Sequence, residues 1–283
     1  MPWKTCEGGY AVRLTVRARA GLWSMGAVVL LFVYVPLGVV ALNSFNSDRT
    51  FGWPPPGLTL KWWRLAAQAQ GPRDALWTSV QAGLGATALA LVLGTLLSFA
   101  LTRYTFFGRQ AISLLVVLPI ALPGIVTGVA LQSVIQNVLG PLFGIGAGLF
   151  TIIVGHATFC IVVVFNNVTA RLRRFGTSLE AASADLGARP STTFRLVTFP
   201  LLRSALLAGA LLAFALSFDE IVVTTFTAGP GSPTLPIWIF NNLFRPNQAP
   251  VVNVVAVVLV LVSIAPVWLA QRLGGSSAAE SRL

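Results

Sequence analysis

Charge is what this sequence has least of: 10% of its 283 residues are Asp, Glu, Lys or Arg, while 55% are apolar, and the mean hydropathy is +0.81. Soluble domains carry about 25% charged residues, so a water-exposed globule is excluded. The two lysines, Lys4 and Lys61, follow Trp3 and Leu60 rather than glycine. The chain therefore has no GxxxxGK[ST] loop to cradle the phosphates of ATP. A lone histidine, His156, excludes HExxH, and the few carboxylates build no Ser/His/Asp or paired-acid arrangement on a loop. Of the two cysteines, Cys6 falls in an N-terminal tail and Cys160 in an apolar run, a placement that offers no disulfide and no metal spacing. The sequence thus implies no catalysis, no cofactor and no metal, and its polar complement is too sparse for a membrane-embedded enzyme.

Long apolar runs are what it has in abundance. Six are found, at Leu22–Leu42, Trp77–Leu101, Ala111–Leu139, Ala147–Val168, Leu201–Phe226 and Val251–Ala270. About twenty apolar residues cross a ~30 Å hydrocarbon core as a helix. The pattern predicts an all-α polytopic membrane protein with six transmembrane helices in the lipid bilayer. The first run is too long for a signal-peptide core and lacks a small-residue cleavage site, so it reads as a retained helix, with a cleaved signal as the alternative. Net charge of +11 would suit nucleic acid, but fourteen of the nineteen Lys and Arg fall on one set of connections. The positive-inside rule then places both termini and the Arg171–Arg203 region in the cytoplasm, and no nucleic-acid partner is implied. The expected organisation is a cytoplasmic tail over 1–21, a first helix over 22–42, an external loop over 43–76, a core over 77–270 and a cytoplasmic tail over 271–283.

Between the fourth and fifth runs lies a polar, basic stretch from Arg171 to Pro200. Thr177 and Glu180 have the spacing of a capping box, so a short helix is predicted to start there. Leu179, Ala182 and Leu186 fall on one face, Ala181 and Ala182 are small enough for close approach, and Gly187 and Pro190 end the helix. A second polar start at Ser191 and Thr192 leads through Phe194 and Arg195 to Pro200. Glu180, Ala181, Ala182 and Gly187, followed after nine residues by Val197, Phe199 and Pro200, resemble the EAA loop of ATP-binding cassette (ABC) importer permeases. Val197 and Phe199 replace the usual Ile and Leu conservatively. The resemblance implies the type I ABC importer permease fold. It also implies a coupling helix, with Glu180, Ala181, Ala182, Leu186, Gly187 and Pro200 as its loop residues, seated in a cleft of a cytoplasmic ATPase. Two ATPase subunits, a second permease and an extracytoplasmic solute-binding protein follow as partners, with the bacterial cell membrane as location.

Other features refine this. The segment 43–75 is rich in Trp and Pro, and Trp53, Trp62 and Trp63 suit the outer interface of an aromatic-anchored loop; a short interfacial helix through Trp62, Trp63 and Leu65 is the alternative. Pro119 and Pro123 predict a kink or break in the third run. His156 is expected to be a packed, hydrogen-bonded residue, and Asn166 and Asn167 to act as interhelical glue. Asp219 and Glu220 are the sharpest chemical feature, since ionisable groups in a membrane helix cost ~2–3 kcal/mol each unless paired or wet, and mark a substrate path or an interfacial helix end. Helical geometry turns the two apart, so one is expected to line a path while the other meets Arg, His or a capping group. Leu118–Leu131, His156–Cys160, the acidic pair and Gly229–Gly231 with Leu235 and Pro236 resemble the spermidine/putrescine permease subgroup, although Gly124 stands where those permeases often carry an acid. A cationic polyamine is the substrate this implies; another small amine, opine or amino-acid derivative is the alternative. An ion-coupled secondary transporter would instead show repeated interrupted segments in two halves.

Overall fold

A computed structural model describes residues 15–49, 52–245 and 247–279; the expectations for Lys4, Cys6 and Arg13 lie outside them. The described residues form thirteen helices and a single isolated bridge between Asn46 and Leu58. The first is α1 (Val16–Asn43), started by Thr15, whose hydroxyl accepts from Ala18 N at 3.3 Å. It begins six residues before the predicted Leu22 and so draws Arg17 and Arg19 into the helix. No residue from Val16 to Gly38 is shielded, and its contacts are with the last helix.

The segment after α1 departs from the loop reading. Lys61–Gln68 forms a short helix, α2, that buries Trp62, whose indole N–H donates to Asn46 O at 2.8 Å. Next comes α3 (Gln70–Arg103), which starts seven residues before the predicted Trp77. Pro72 is tolerated there because the first turn of a helix has no use for its missing N–H. The buried face of α3 reads Ser79, Ala82, Ala86, Ala90, Gly94 and Ser98, small residues at helical spacing. They let α7 (Leu149–Phe175) approach closely: a Cβ on Gly94 would lie 3.0 Å from Ile161 O, and Ser98 donates across to Phe165 O at 3.1 Å.

The third run is two helices rather than one. Residues Arg109–Ala121 form α4 and Gly124–Val134 form α5. Pro123 forces Leu122 into extended backbone (ψ 144°), as expected for a residue before proline, and so divides them. Pro119 stays inside α4, where its missing N–H removes one backbone bond, and the break falls at Pro123. Beyond α5 a π turn (Ile135–Leu139) leads into α6 (Gly140–Phe143), and together they make a 20-residue span.

The remaining helices are α8 (Ser178–Asp185), α9 (Pro190–Thr193), a π turn over Phe194–Thr198, α10 (Phe199–Phe218), α11 (Val222–Thr227), α12 (Leu235–Leu243) and α13 (Ala249–Ala279). Thus α13 continues past the predicted boundary at 270. Among the described residues, six stretches are long and apolar enough to cross a membrane: Val16–Asn43, Gln70–Arg103, Gly124–Phe143, Leu149–Phe175, Pro190–Phe218 and Ala249–Leu269. The core joins α3, α7 and α10 through Ala86, Ala90, Cys160, Val164, Leu172, Leu202 and Ala213. A second cluster, with Trp62, Ala75, Phe218, Leu235 and Val254, seals the end of the bundle that carries Asp219.

Candidate functional site

At one end of the bundle, α8 stands clear of the helices that support it. Leu179 and Leu186 are exposed at 48% and 89%, and Ala181 and Ala182 are open beside them. These side chains are not covered by any other helix of the described chain. The helix stops as its sequence predicts: Gly187 takes φ +79°, Ala188 N bonds Ser183 O at 3.1 Å and Gly187 N bonds Ala184 O at 2.8 Å, the paired bonds of a Schellman turn.

Its start differs from the sequence reading. Thr177 makes no side-chain cap, and Glu180 does not reach back to it, because the carboxylate is taken by other groups. Arg103, the last residue of α3, brings Nε to 2.8 Å from Glu180 Oε2. The N–H direction of Nε misses that oxygen, but Nη2 donates to Glu180 Oε1 at 3.4 Å, so the ion pair also carries a hydrogen bond. The same guanidinium donates from Nη2 to Gly176 O at 2.7 Å, and Thr198 Oγ1 donates to Glu180 Oε1 at 3.0 Å. Pro190, rather than Ser191 or Thr192, opens the next helical segment at its first position. The following π turn closes with Phe199 N on Phe194 O, which makes room for Pro200.

At the other end the predicted fifth helix, Leu201–Phe226, is broken where the acids lie. Asp219 ends α10 and Glu220 precedes α11. Glu220 Oε1 accepts from Val223 N at 2.8 Å, so this carboxylate satisfies an open helix-start donor. Asp219 is exposed. The break is spanned by His156 of α7, fully buried, with Nδ1 2.7 Å from Ser217 Oγ and Nε2 2.7 Å from Thr224 Oγ1. Thr224 gives its proton to Glu220 O at 2.9 Å, so the network assigns the imidazole N–H to Nε2 and leaves Nδ1 to accept from Ser217. Asn167 bonds Val163 O on its own helix at 2.9 Å and Asn166 is exposed, so the interhelical bonds expected of them are not among those the described residues make.

Short α11 is seated against glycines. A Cβ on Gly124 would lie 3.2 Å from Val222 Cγ1, one on Gly128 would run into Phe226, and one on Gly155 would come within 3.3 Å of Thr227 Cγ2. A side chain at position 124 would push Val222 by a few tenths of an ångström, so glycine gives the closer packing there. Beside α11 a cavity of about 370 Å³ is lined by Gln132, Gln136, Thr225 and Phe226. The sequence reading missed Gln132 and Gln136, although their four-residue spacing puts both on one helix face.

Comparison with known proteins agrees with this architecture. A family model described as binding-protein-dependent transport system inner membrane component matches residues 90–275. The chain is 33% identical over 244 residues to the spermidine/putrescine transport system permease protein PotC of Haemophilus influenzae, covering 86% of this chain and 92% of that protein. It is 31% identical over 248 residues to the putative 2-aminoethylphosphonate transport system permease protein PhnV of Salmonella typhi, covering 88% and 91%. A chain in the crystal structure of a bacterial ABC transporter involved in alginate import superposes with a TM-score of 0.68 at 15% identity, covering 92% of this chain and 98% of that one. The protein belongs to the binding-protein-dependent transport system inner membrane component family, and is an ABC importer permease, a membrane-spanning transport subunit rather than an enzyme.

Proposed function

We propose that this permease carries a small organic cation with primary ammonium groups, a polyamine of the spermidine/putrescine kind, along a path that includes Asp219. The observation that carries the reading is the exposed Asp219 carboxylate at a break in a membrane span. With Glu220 committed to α11 and His156 holding both sides of the break, Asp219 is the acid left to meet an ammonium. A carboxylate in a low-dielectric setting attracts that group far more than it does in water. The relative named for spermidine and putrescine favours the same class.

In this reading two cytoplasmic ATPase subunits supply the energy, a second permease completes the path and an extracytoplasmic binding protein delivers the solute. The apolar face of α8, with Ala181, Ala182 and Leu186, seats in the ATPase, while Glu180, Gly187 and Pro200 hold the geometry of the loop. Both termini and the Arg171–Pro200 loop face the cytoplasm. A second reading, an aminoalkyl compound that also bears an anionic group, is favoured by the relative named for 2-aminoethylphosphonate.

The test is uptake by the reconstituted complex, normalised to permease content, with putrescine, spermidine and 2-aminoethylphosphonate in competition. Asp219→Asn is expected to lower polyamine uptake about tenfold per complex, as loss of a charge-assisted contact of ~1.5 kcal/mol implies. Wild-type uptake by Asp219→Asn would remove the acid from the path. Transport of the phosphonate alone would favour the second reading.

A further inference from the structure

We infer that Arg103 is a positioning residue for coupling: it ties the loop helix α8 and the hinge before it to the end of α3, so that a displacement of α8 is delivered to the membrane core. The inference rests on the reading of α8 as the ATPase contact.

The geometry is specific. Helix α7 ends at Phe175, and Gly176 then takes φ +63°, a backbone state that frees the chain to change direction before α8. A glycine hinge by itself would let α8 swing without moving anything else. Arg103 removes that freedom from both sides. Its Nη2 holds the hinge carbonyl, Gly176 O, at 2.7 Å; its Nε pairs with Glu180 Oε2 at 2.8 Å; and its guanidinium lies over the Phe175 ring at 5.6 Å. The side chains of Arg103 and Glu180 are only 13% and 21% exposed, so water screens the pair weakly. The second oxygen of Glu180 takes the hydroxyl proton of buried Thr198, which places the start of α10 in the same cluster.

Below these contacts the packing is stiff. Small residues set α3 directly against α7, and Ser98, five residues before Arg103, is bonded to Phe165 O. Arg171 of α7 adds a link from Nε to Leu201 O at 2.9 Å. A shift of α8 therefore reaches α3 through Arg103 and α10 through Thr198, the two helices whose far ends lie against the Trp62 cluster and the Asp219 break. By contrast, α8 meets α9 through the Ser183–Thr193 hydroxyl pair at 2.9 Å, a contact within the loop itself. Arginine suits this position better than lysine because its planar fork can serve a carbonyl and a carboxylate together.

The experiment uses the full complex in proteoliposomes, with its solute-binding protein and putrescine, and measures uptake and ATP hydrolysis on the same preparation. Arg103→Gln is expected to keep solute-stimulated hydrolysis while uptake per ATP falls about tenfold, inside the usual span of allosteric couplings. Arg103→Lys is expected to recover part of that ratio, since it keeps the charge and loses the fork. A merely structural role would lower the amount of assembled complex and leave the ratio unchanged. The inference is overturned if Arg103→Gln keeps the wild-type ratio or if Arg103→Lys is no better than Arg103→Gln. Crosslinking of a cysteine at Leu186 to the ATPase, scored separately in wild type, tests the underlying reading: its absence removes α8 as the contact whatever Arg103 does.

Discussion

Replacing His156 with alanine should destabilise the permease by about 3 kcal/mol, and the parts of that figure can be followed in the structure. The imidazole is 0% exposed and makes two 2.7 Å bonds, to Ser217 before the break and Thr224 after it. Polar contacts between membrane helices average ~0.6 kcal/mol, so the two bonds account for about 1 kcal/mol. Emptying a buried space of this size adds ~2 kcal/mol at the low end of the range for large-to-alanine changes. The two hydroxyls respond differently: Thr224 keeps Glu220 O as acceptor, whereas the Ser217 side chain loses its bond to the ring. A double change, His156→Ala with Ser217→Ala, should therefore cost less than the sum of the single changes. The assay is reversible unfolding of the purified complex in mixed micelles by increasing SDS, followed by tryptophan fluorescence. His156→Ala within ~1 kcal/mol of wild type, or strict additivity with Ser217→Ala, would refute a clamp across the break.

Two further outcomes concern the loop and the topology. Gly187→Val places a β-branched residue at φ +79°, at a cost of ~1–2 kcal/mol, and should reduce uptake per ATP without reducing assembly; Gly187→Asn, which tolerates that backbone, should behave much like wild type. Equal coupling ratios in both variants would contradict the role given to this turn. On a cysteine-free background, an impermeant thiol reagent added to intact cells should label Ser47→Cys and spare Ser191→Cys, both at exposed positions. The reverse pattern would mean that the Arg171–Pro200 loop faces outward.

Much of the fold was legible because apolar runs of membrane length and a basic loop are one-dimensional signals. The helix of that loop was legible from Gly187, since a left-handed stop depends on the residue type alone. Its start was misread because a capping box is a local pattern, and the partner that captured Glu180 is 77 residues away. The same limit explains the fifth span. Hydropathy runs straight through Asp219 and Glu220, but the chain breaks where Glu220 can cap Val223 and His156 can bridge the gap. Gly124, Gly128 and Gly155 carried a hint of that arrangement, yet glycine announces close approach without naming what approaches. The early start of α3 was hidden for a different reason: Gln70–Ala75 is too polar for an apolar window, and its helix is supported by α2 and the Trp62 cluster.

The two π turns have a consequence for how this gene can change length. Each closes a wide turn, with Gly140 N on Ile135 O and Phe199 N on Phe194 O, and a proline stands one residue further on, Pro141 and Pro200. The widened ring accommodates proline without a clash against the preceding carbonyl. It also holds one residue more than regular winding would use and takes that residue up within a single turn, so the helix downstream keeps its angular phase. Removing a single codon between Phe194 and Thr198 would let the turn revert to regular winding with α10 kept in phase, so Ser217 would still meet His156, but the room made for Pro200 would be lost. Loss of one residue should therefore be tolerated better here than within the regular winding of α10, where it would turn everything downstream by about 100°. At these two places the proline constrains the chain more tightly than does the number of residues before it.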